Sequence, residues 1–123
     1  VDDSRNIAPE GWHVPTDDEW QILVDYLGGS SVAGGKMKET GTEHWNSPNT
    51  GATNESGFSA LPGGYRGNIN GDYSSMGYYG GFWSSAEDDS YYAWYRVLYY
   101  YKSDVFRYNI NKRNGFSVRC VRD

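Results

Sequence analysis

Gly11-Trp12-His13-Val14-Pro15-Thr16-Asp17-Asp18-Glu19-Trp20 is the stretch on which the fold of the first third of the chain turns. Thr16 and Glu19, three apart, make a capping box. The Thr16 hydroxyl can accept a free amide of a first helical turn, and Glu19 can reach back to the Thr16 amide. Asp17 and Asp18 then stand at the positive end of the helix dipole. Trp20, Leu23, Val24 and Leu27 follow at helical spacing and form one apolar stripe. Gly28-Gly29 supplies a residue free to take positive φ, which stops a helix. The spacing predicts a helix over residues 17–27, with Thr16 as its cap and the stripe buried.

Working outward, residues 1–15 read as extended chain that turns at Ala8-Pro9-Glu10-Gly11. Residues 29–36 read as a Gly/Ser loop, and 36–40 as a short element of either type. From Gly41 to Gly57 nearly every residue is polar or turn-forming, and Trp45 is expected to anchor that loop. Phe58 to Pro62 reads as a short buried strand, residues 65–81 as a Gly, Tyr and Asn-rich connection, and Phe82 to Ser85 as another short strand. Ala93 to Tyr100 alternates, with Trp94, Arg96, Leu98 and Tyr100 on one face and Tyr95, Val97 and Tyr99 on the other. Lys102-Ser103-Asp104 turns the chain, Val105 to Tyr108 returns, and Asn111 to Gly115 turns it again. Phe116 to Val121 forms the last strand, with Phe116, Val118 and Cys120 on one face. Three strands joined by short turns predict an antiparallel meander. The expected class is α+β: one strong N-terminal helix, long loops and a C-terminal meander, all within a single domain spanning 1–123.

Composition narrows the chemistry. A mean hydropathy of −0.78 is polar for a folded chain, but 17% aromatic residues compensate and argue against disorder. A net charge of −5 argues against a nucleic-acid partner, which calls for a basic patch. No apolar run approaches the ~18 residues of a membrane span. Cys120 is the only cysteine, which excludes an internal disulfide and any paired-cysteine metal site; between valines on a strand it reads as a buried structural residue. His13 and His44 lack metal-ligand spacing, and His13 is expected to cap or pack around the start of the helix. Asp72, Glu87, Asp88 and Asp89 are weighed as a calcium site and read instead as solvated loop charges. No pair of carboxylates can be singled out for hydrolysis. No cofactor and no enzymatic activity are therefore expected.

The segments GWHVPTDDEW (11–20), AGGKMKETGTEHW (33–45), NESGFSALPGGYR (54–66), FWSSAE (82–87), AWYRVL (93–98) and GFSVRCVRD (115–123) together resemble the Fibrobacter succinogenes major paralogous domain. The resemblance implies a surface or secreted protein of gut bacteria of the Bacteroidetes type. A looser similarity to formylglycine-generating-enzyme-type domains implies a C-type-lectin-like fold. Those enzymes bind copper through a cysteine pair, which a lone Cys120 cannot make. The sugar-binding motifs Glu-Pro-Asn and Trp-Asn-Asp of lectins are also missing where they would be expected. Family members carry an aromatic-rich strand upstream that pairs with the C-terminal one, so the resemblance implies an open sheet edge beside residues 116–122. The chain starts at Val1 rather than Met, and is expected to be a processed or excised piece of a larger extracellular or cell-surface protein.

The segment from Asp88 to Arg113 stands out, because seven of the 12 tyrosines fall there among Ser, Asn and Asp residues. Tyrosine offers rigid amphipathic contact area at low entropy cost, and small polar residues adapt their hydrogen bonds around it. With Trp94 and Leu98 on the buried face, Tyr95 and Tyr99 face away, and Phe106 and Tyr108 repeat the spacing on the returning strand. The expected ligand-binding residues are Tyr91, Tyr92, Tyr95, Tyr99, Tyr101, Phe106, Tyr108 and Asn111, with Tyr91, Tyr92 and Asn111 rimming a contiguous patch. The expected partner is a protein or a glycan, bound by a monomer. The alternative is an adhesion module whose tyrosines pack on a neighbouring domain. Lectin-like domains of this kind also serve as variable proteins of diversity-generating retroelements, and the Tyr, Asn, Ser and Asp load before a fixed terminus fits that use.

Overall fold

The structure, a computed structural model, describes residues 7–67, 69 and 71–123. The capping box forms as its chemistry requires. Glu19 N–H donates to Thr16 Oγ1 at 3.1 Å, and Thr16 N–H donates to Glu19 Oε1 at 3.0 Å. Helix α1, Asp17–Tyr26, buries Trp20 and Val24, with Leu27 buried just beyond its end and Leu23 packed at the margin. Gly28 and Gly29 follow with φ of 104° and 102°, a conformation that side chains resist.

The predicted loop over 29–36 is instead a second helix, α2, Ser30–Met37. Gly34 and Gly35 argue against a helix by propensity, since each costs about 1 kcal/mol relative to Ala. Packing decides otherwise. A Cβ on Gly34 would stand 2.2 Å from the Asp104 carbonyl oxygen, and one on Gly35 would stand 2.3 Å from that of Gly51. The two glycines let α2 lie against neighbouring backbone, and Gly35 N–H donates to Ser103 O at 3.0 Å.

Strand β1, Trp12–His13, pairs antiparallel with β7, Val121–Arg122. A short ribbon joins β2, Tyr65–Arg66, to β3, Tyr73–Ser74. The main sheet is antiparallel in the order β4, Tyr79–Glu87, then β5, Tyr92–Tyr99, then β6, Val105–Asn111. The class is thus α+β, with two helices and antiparallel sheets. The meander lies one strand earlier than expected, because β4 extends back through Gly80-Gly81 and takes the place beside β5. Residues 116–120 are not its third strand. Among the described residues their backbone pairs with β4 only at the parallel bridge of Ser117 to Phe82, where Ser117 N–H donates to Gly81 O at 3.0 Å. Gly81 permits this approach, since a Cβ there would lie 2.4 Å from the Phe116 ring. The expected strand over 58–62 reduces to one bridge, Ala60 to Lys38.

The core lies between the two helices and the inner face of the sheet, and joins Trp20, Val24, Met37, Trp45, Phe82, Leu98 and Val105. Trp45 anchors the long loop as expected: it is 1% exposed, and its indole N–H donates to Ala60 O at 2.9 Å. Lys38 is fully buried beside it. Its ammonium donates to the carbonyls of Thr50, Tyr99 and Lys102 at 2.8, 3.0 and 2.9 Å, which ties the loop to both ends of the β5–β6 turn. Burial pushes its pKa down to about 8. Among the described residues no helix is long and apolar enough to cross a membrane.

Candidate functional site

The two faces of β5 are built for different ends. Arg96, on the face toward α1, is 3% exposed and donates to Asp17 Oδ1 at 2.9 Å, Asp17 O at 3.2 Å and Gln21 Oε1 at 3.1 Å. A buried guanidinium needs such partners. Arg119 is exposed and lies over the Phe58 ring at 4.2 Å. Trp94 was expected in the core but is only half-buried, because the Arg107 guanidinium lies 3.7 Å over its ring and completes an ion pair with Asp17 at 2.9 Å.

On the opposite face, register sets the aromatic residues side by side. Tyr95 lies opposite Tyr108, Val97 opposite Phe106, and Tyr79 opposite Tyr99. Partners across a ladder share a face and interact as pairs. The rings form a closed mosaic. Tyr79 meets Tyr99 at 5.8 Å, Tyr99 meets Phe106 at 5.4 Å, and Phe106 lies parallel to Tyr108 at 5.8 Å. Tyr108 meets Tyr95 at 6.2 Å, and Tyr95 stacks on Phe116 at 4.5 Å. Phe116 meets Tyr65 at 6.3 Å, and Tyr65 stacks on Tyr79 at 5.8 Å. Tyr101 joins through Tyr99 at 5.5 Å.

Of the eight expected site residues, five come together here: Tyr95, Tyr99, Tyr101, Phe106 and Tyr108. Tyr101 and Tyr108 are 49% and 43% exposed. Tyr95 and Tyr99 are more covered than expected, because Phe116 stacks on one while Tyr79, Tyr101 and Phe106 surround the other. Burial pushes the Tyr95 phenol up to about 12 and raises those of Tyr99 and Tyr79, so all three keep their protons at neutral pH.

Tyr91, Tyr92 and Asn111 do not rim the mosaic. Tyr92 and Asn111 lie opposite one another, and alternation puts both on the sheet's other face, with Trp94. Tyr91 sits in the β4–β5 turn, where the backbone amides of Tyr91 and Tyr92 both donate to Asp89 Oδ1. Asn111 accepts the Arg113 amide at 2.9 Å and so builds the turn after β6. The sequence reading missed Tyr65, Tyr79 and Phe116. Their signal was present as Tyr79 two positions before Gly81, and as Phe116 behind a turn. Beside Tyr65 and Phe116 the mosaic opens into a cleft of about 280 Å³, lined also by Arg66, Tyr73 and Ser117. At the other end, Lys102 lies 6.0 Å from the Tyr101 ring and 5.8 Å from the Phe106 ring.

Among the described residues, no group of three or more His, Cys, Asp or Glu side chains could hold a metal ion. Asp88 accepts from Asn109 at 2.6 Å, and Glu87 pairs with Lys112 at 2.6 Å, so these acids brace the sheet end. Cys120 is half-buried rather than buried, since residues 116–120 carry only the Ser117 bridge to the main sheet. His13 does pack at the helix start. Its Nδ1 lies 2.7 Å from Asp123 and its Nε2 2.9 Å from Glu19, and these bonds raise its pKa.

The Fibrobacter succinogenes major domain model matches residues 1–122, and the chain belongs to that family. No curated protein and no solved structure matches the chain.

Proposed function

We propose that this is a non-enzymatic ligand-binding domain of a secreted or surface-displayed bacterial protein, with a C-type-lectin-like fold, which recognises a protein or a glycan through its tyrosine mosaic. The observation that carries the reading is one continuous aromatic surface on the outer face of the main sheet, with Tyr101 and Tyr108 each more than two-fifths exposed. An exposed aromatic cluster of this kind marks an interaction surface more often than a scaffold. A few aromatic anchors carry most of the energy of such interfaces. The phenols stay protonated and donate hydrogen bonds at their rims, while their faces suit apolar side chains or the apolar face of a sugar ring. The retroelement reading belongs with this proposal: Tyr101, Phe106 and Tyr108 are not members of the core cluster.

The test is binding to a glycan array and to a displayed protein library, by the native chain and by the Tyr101→Ala/Tyr108→Ala variant. Native binding in either format is expected. The variant should lose at least about tenfold in affinity while its Tm stays within about 4 °C, the size of a 1 kcal/mol change. Equal binding by the variant, or none by the native chain in both formats, refutes the reading.

A further inference from the structure

The cleft of about 280 Å³ at the β2 end of the mosaic has walls of a different kind from the ring surface beside it. Gly63, Gly64 and Gly115 line it with peptide groups rather than side chains. A Cβ on Gly64 would stand 2.1 Å from Ser74 O, and one on Gly115 would stand 3.0 Å from Arg66 Cβ, so these walls close only over glycine. Tyr65 and Phe116 carry the aromatic surface into the cleft, with ring centres 6.3 Å apart. Among the described residues that line it, Arg66 alone is charged.

Arg66 is fixed from three sides. Its backbone exchanges hydrogen bonds with Gly115, donating to Gly115 O at 2.9 Å and accepting from Gly115 N–H at 2.8 Å. Its Nε donates to Gly71 O at 2.8 Å, and its guanidinium lies 5.8 Å from the centre of the Tyr73 ring. Gly71 has a φ of 71°, and a Cβ there would lie 3.1 Å from Arg66 Nη2, so a side chain would push the guanidinium aside. Arg96 and Arg107 pair with Asp17, whereas no carboxylate among the described residues pairs with Arg66. Its Nη1 and Nη2 also have no acceptor among those residues. A guanidinium held in one pose with its end-on fork open matches a planar carboxylate, which accepts two parallel N–H bonds. Because the pose is already set, little side-chain freedom is lost when the carboxylate arrives.

We infer that the cleft is the subsite for a carboxylate-bearing sugar residue of an acidic glycan whose neighbouring rings lie along Tyr65, Tyr79 and Tyr99, a step that rests on the proposed role of the mosaic and narrows its ligand class. Pockets for drug-sized ligands begin at about 300 Å³, so this cleft takes a single ring. A peptide laid across a sheet face covers N–H and C=O groups that find no backbone to pair with, and extended peptides dock along strand edges instead. A sugar ring sets its apolar C–H face on an aromatic ring and keeps its hydroxyls at the rim, where phenols and the peptide groups of the cleft can meet them. A sulfate or phosphate spreads its charge over three oxygens and calls for more than the one cation present, while a single fork satisfies a carboxylate.

The probe is an array of short oligosaccharides that contain hexuronic acid. The same chains with each carboxyl reduced to a primary alcohol, sulfated neutral chains, and peptides rich in Glu and Tyr are printed beside them. The native chain should bind the uronate members at least about tenfold more tightly than their reduced counterparts, the size of a lost charge-assisted pair of hydrogen bonds. Arg66→Gln should bind both forms alike, at the native affinity for the reduced form. Arg66→Lys keeps the charge without the fork and should recover only part of the preference. Arg66 is exposed, so both variants should keep Tm within about 4 °C of native. Tyr101→Ala/Tyr108→Ala should weaken both forms in the same ratio. Equal binding of uronate and reduced chains by the native protein overturns the inference and leaves the mosaic reading in place, as does a preference that survives in Arg66→Gln. Binding confined to sulfated chains or to acidic peptides overturns it, and so does the absence of binding to any glycan. Undiminished binding by Tyr101→Ala/Tyr108→Ala, with the Arg66-dependent preference intact, refutes the mosaic reading and leaves the cleft standing as an acidic-sugar site.

Discussion

Replacing Lys38 with Met tests whether a buried ammonium holds the long loop to the β5–β6 turn. Two effects oppose. The three carbonyls of Thr50, Tyr99 and Lys102 lose their donor, which costs about 1 kcal/mol or more each. Removing the charge also relieves the desolvation that pushes the Lys38 pKa down from 10.5 to about 8. At neutral pH a net loss on the order of 2 kcal/mol is expected. The pH dependence is the sharper readout. Between about 8 and 10.5 the unfolded chain holds the Lys38 proton more tightly than the folded one, so stability must rise with pH. The rise expected from Lys38 between about pH 7 and 9.5 is roughly 2 kcal/mol. Buried tyrosines work in the opposite direction only above about pH 10, where unfolded phenols ionise first. Urea denaturation followed by tryptophan fluorescence at steps across that window, on both proteins, gives the difference directly. The native chain should climb relative to Lys38→Met. A flat difference refutes the reasoning, and shows that the three carbonyls hold the proton as firmly as water does.

Gly34→Ala and Gly35→Ala should each destabilise by more than the ~1–3 kcal/mol of ordinary overpacking, since the new methyl meets backbone rather than a movable side chain; thermal melts would show it, and unchanged Tm would deny the close approach of α2. Arg96→Met should cost about 3 kcal/mol, because Asp17 and Gln21 lose a buried partner while Asp17 keeps only Arg107; denaturant midpoints measure this. His13 has a folded pKa raised above 6.5 by Asp123 and Glu19, so its contribution is fully present below that value and fades as pH rises through the folded pKa. His13→Ala should remove this slope from a melting series, and an unchanged slope would place the titration elsewhere.

The sequence made α1 legible in full, because its capping box and stripe are local and nothing distant opposes them. It hid α2, because the reason for Gly34-Gly35 lies in Asp104 and Gly51, which only the folded chain brings near. The mosaic was half legible. Alternation on β5 and β6 puts Tyr95, Tyr99, Phe106 and Tyr108 on one face, whereas Phe116 arrives from a segment that was expected to pair rather than cover. Tyr92 and Asn111 lie on the other face, because strand parity overrides their nearness along the chain to the mosaic residues. Lys38 gave no signal at all: a lysine between Met37 and Glu39 is ordinarily a solvated charge.

On the proposed reading, the parity of the main sheet separates durability from recognition. Arg96, Leu98 and Val105 point toward the helices and fix the architecture, while Tyr101, Phe106 and Tyr108 belong to the outer mosaic, where their ring contacts are with other aromatic residues. On that reading, a change at the outer positions alters what the domain can grip without spending the stability held on the inner side. If the mosaic is the binding surface proposed above, lineages of this chain can drift toward new ligands by single replacements, each of which leaves a folded intermediate for selection to act on.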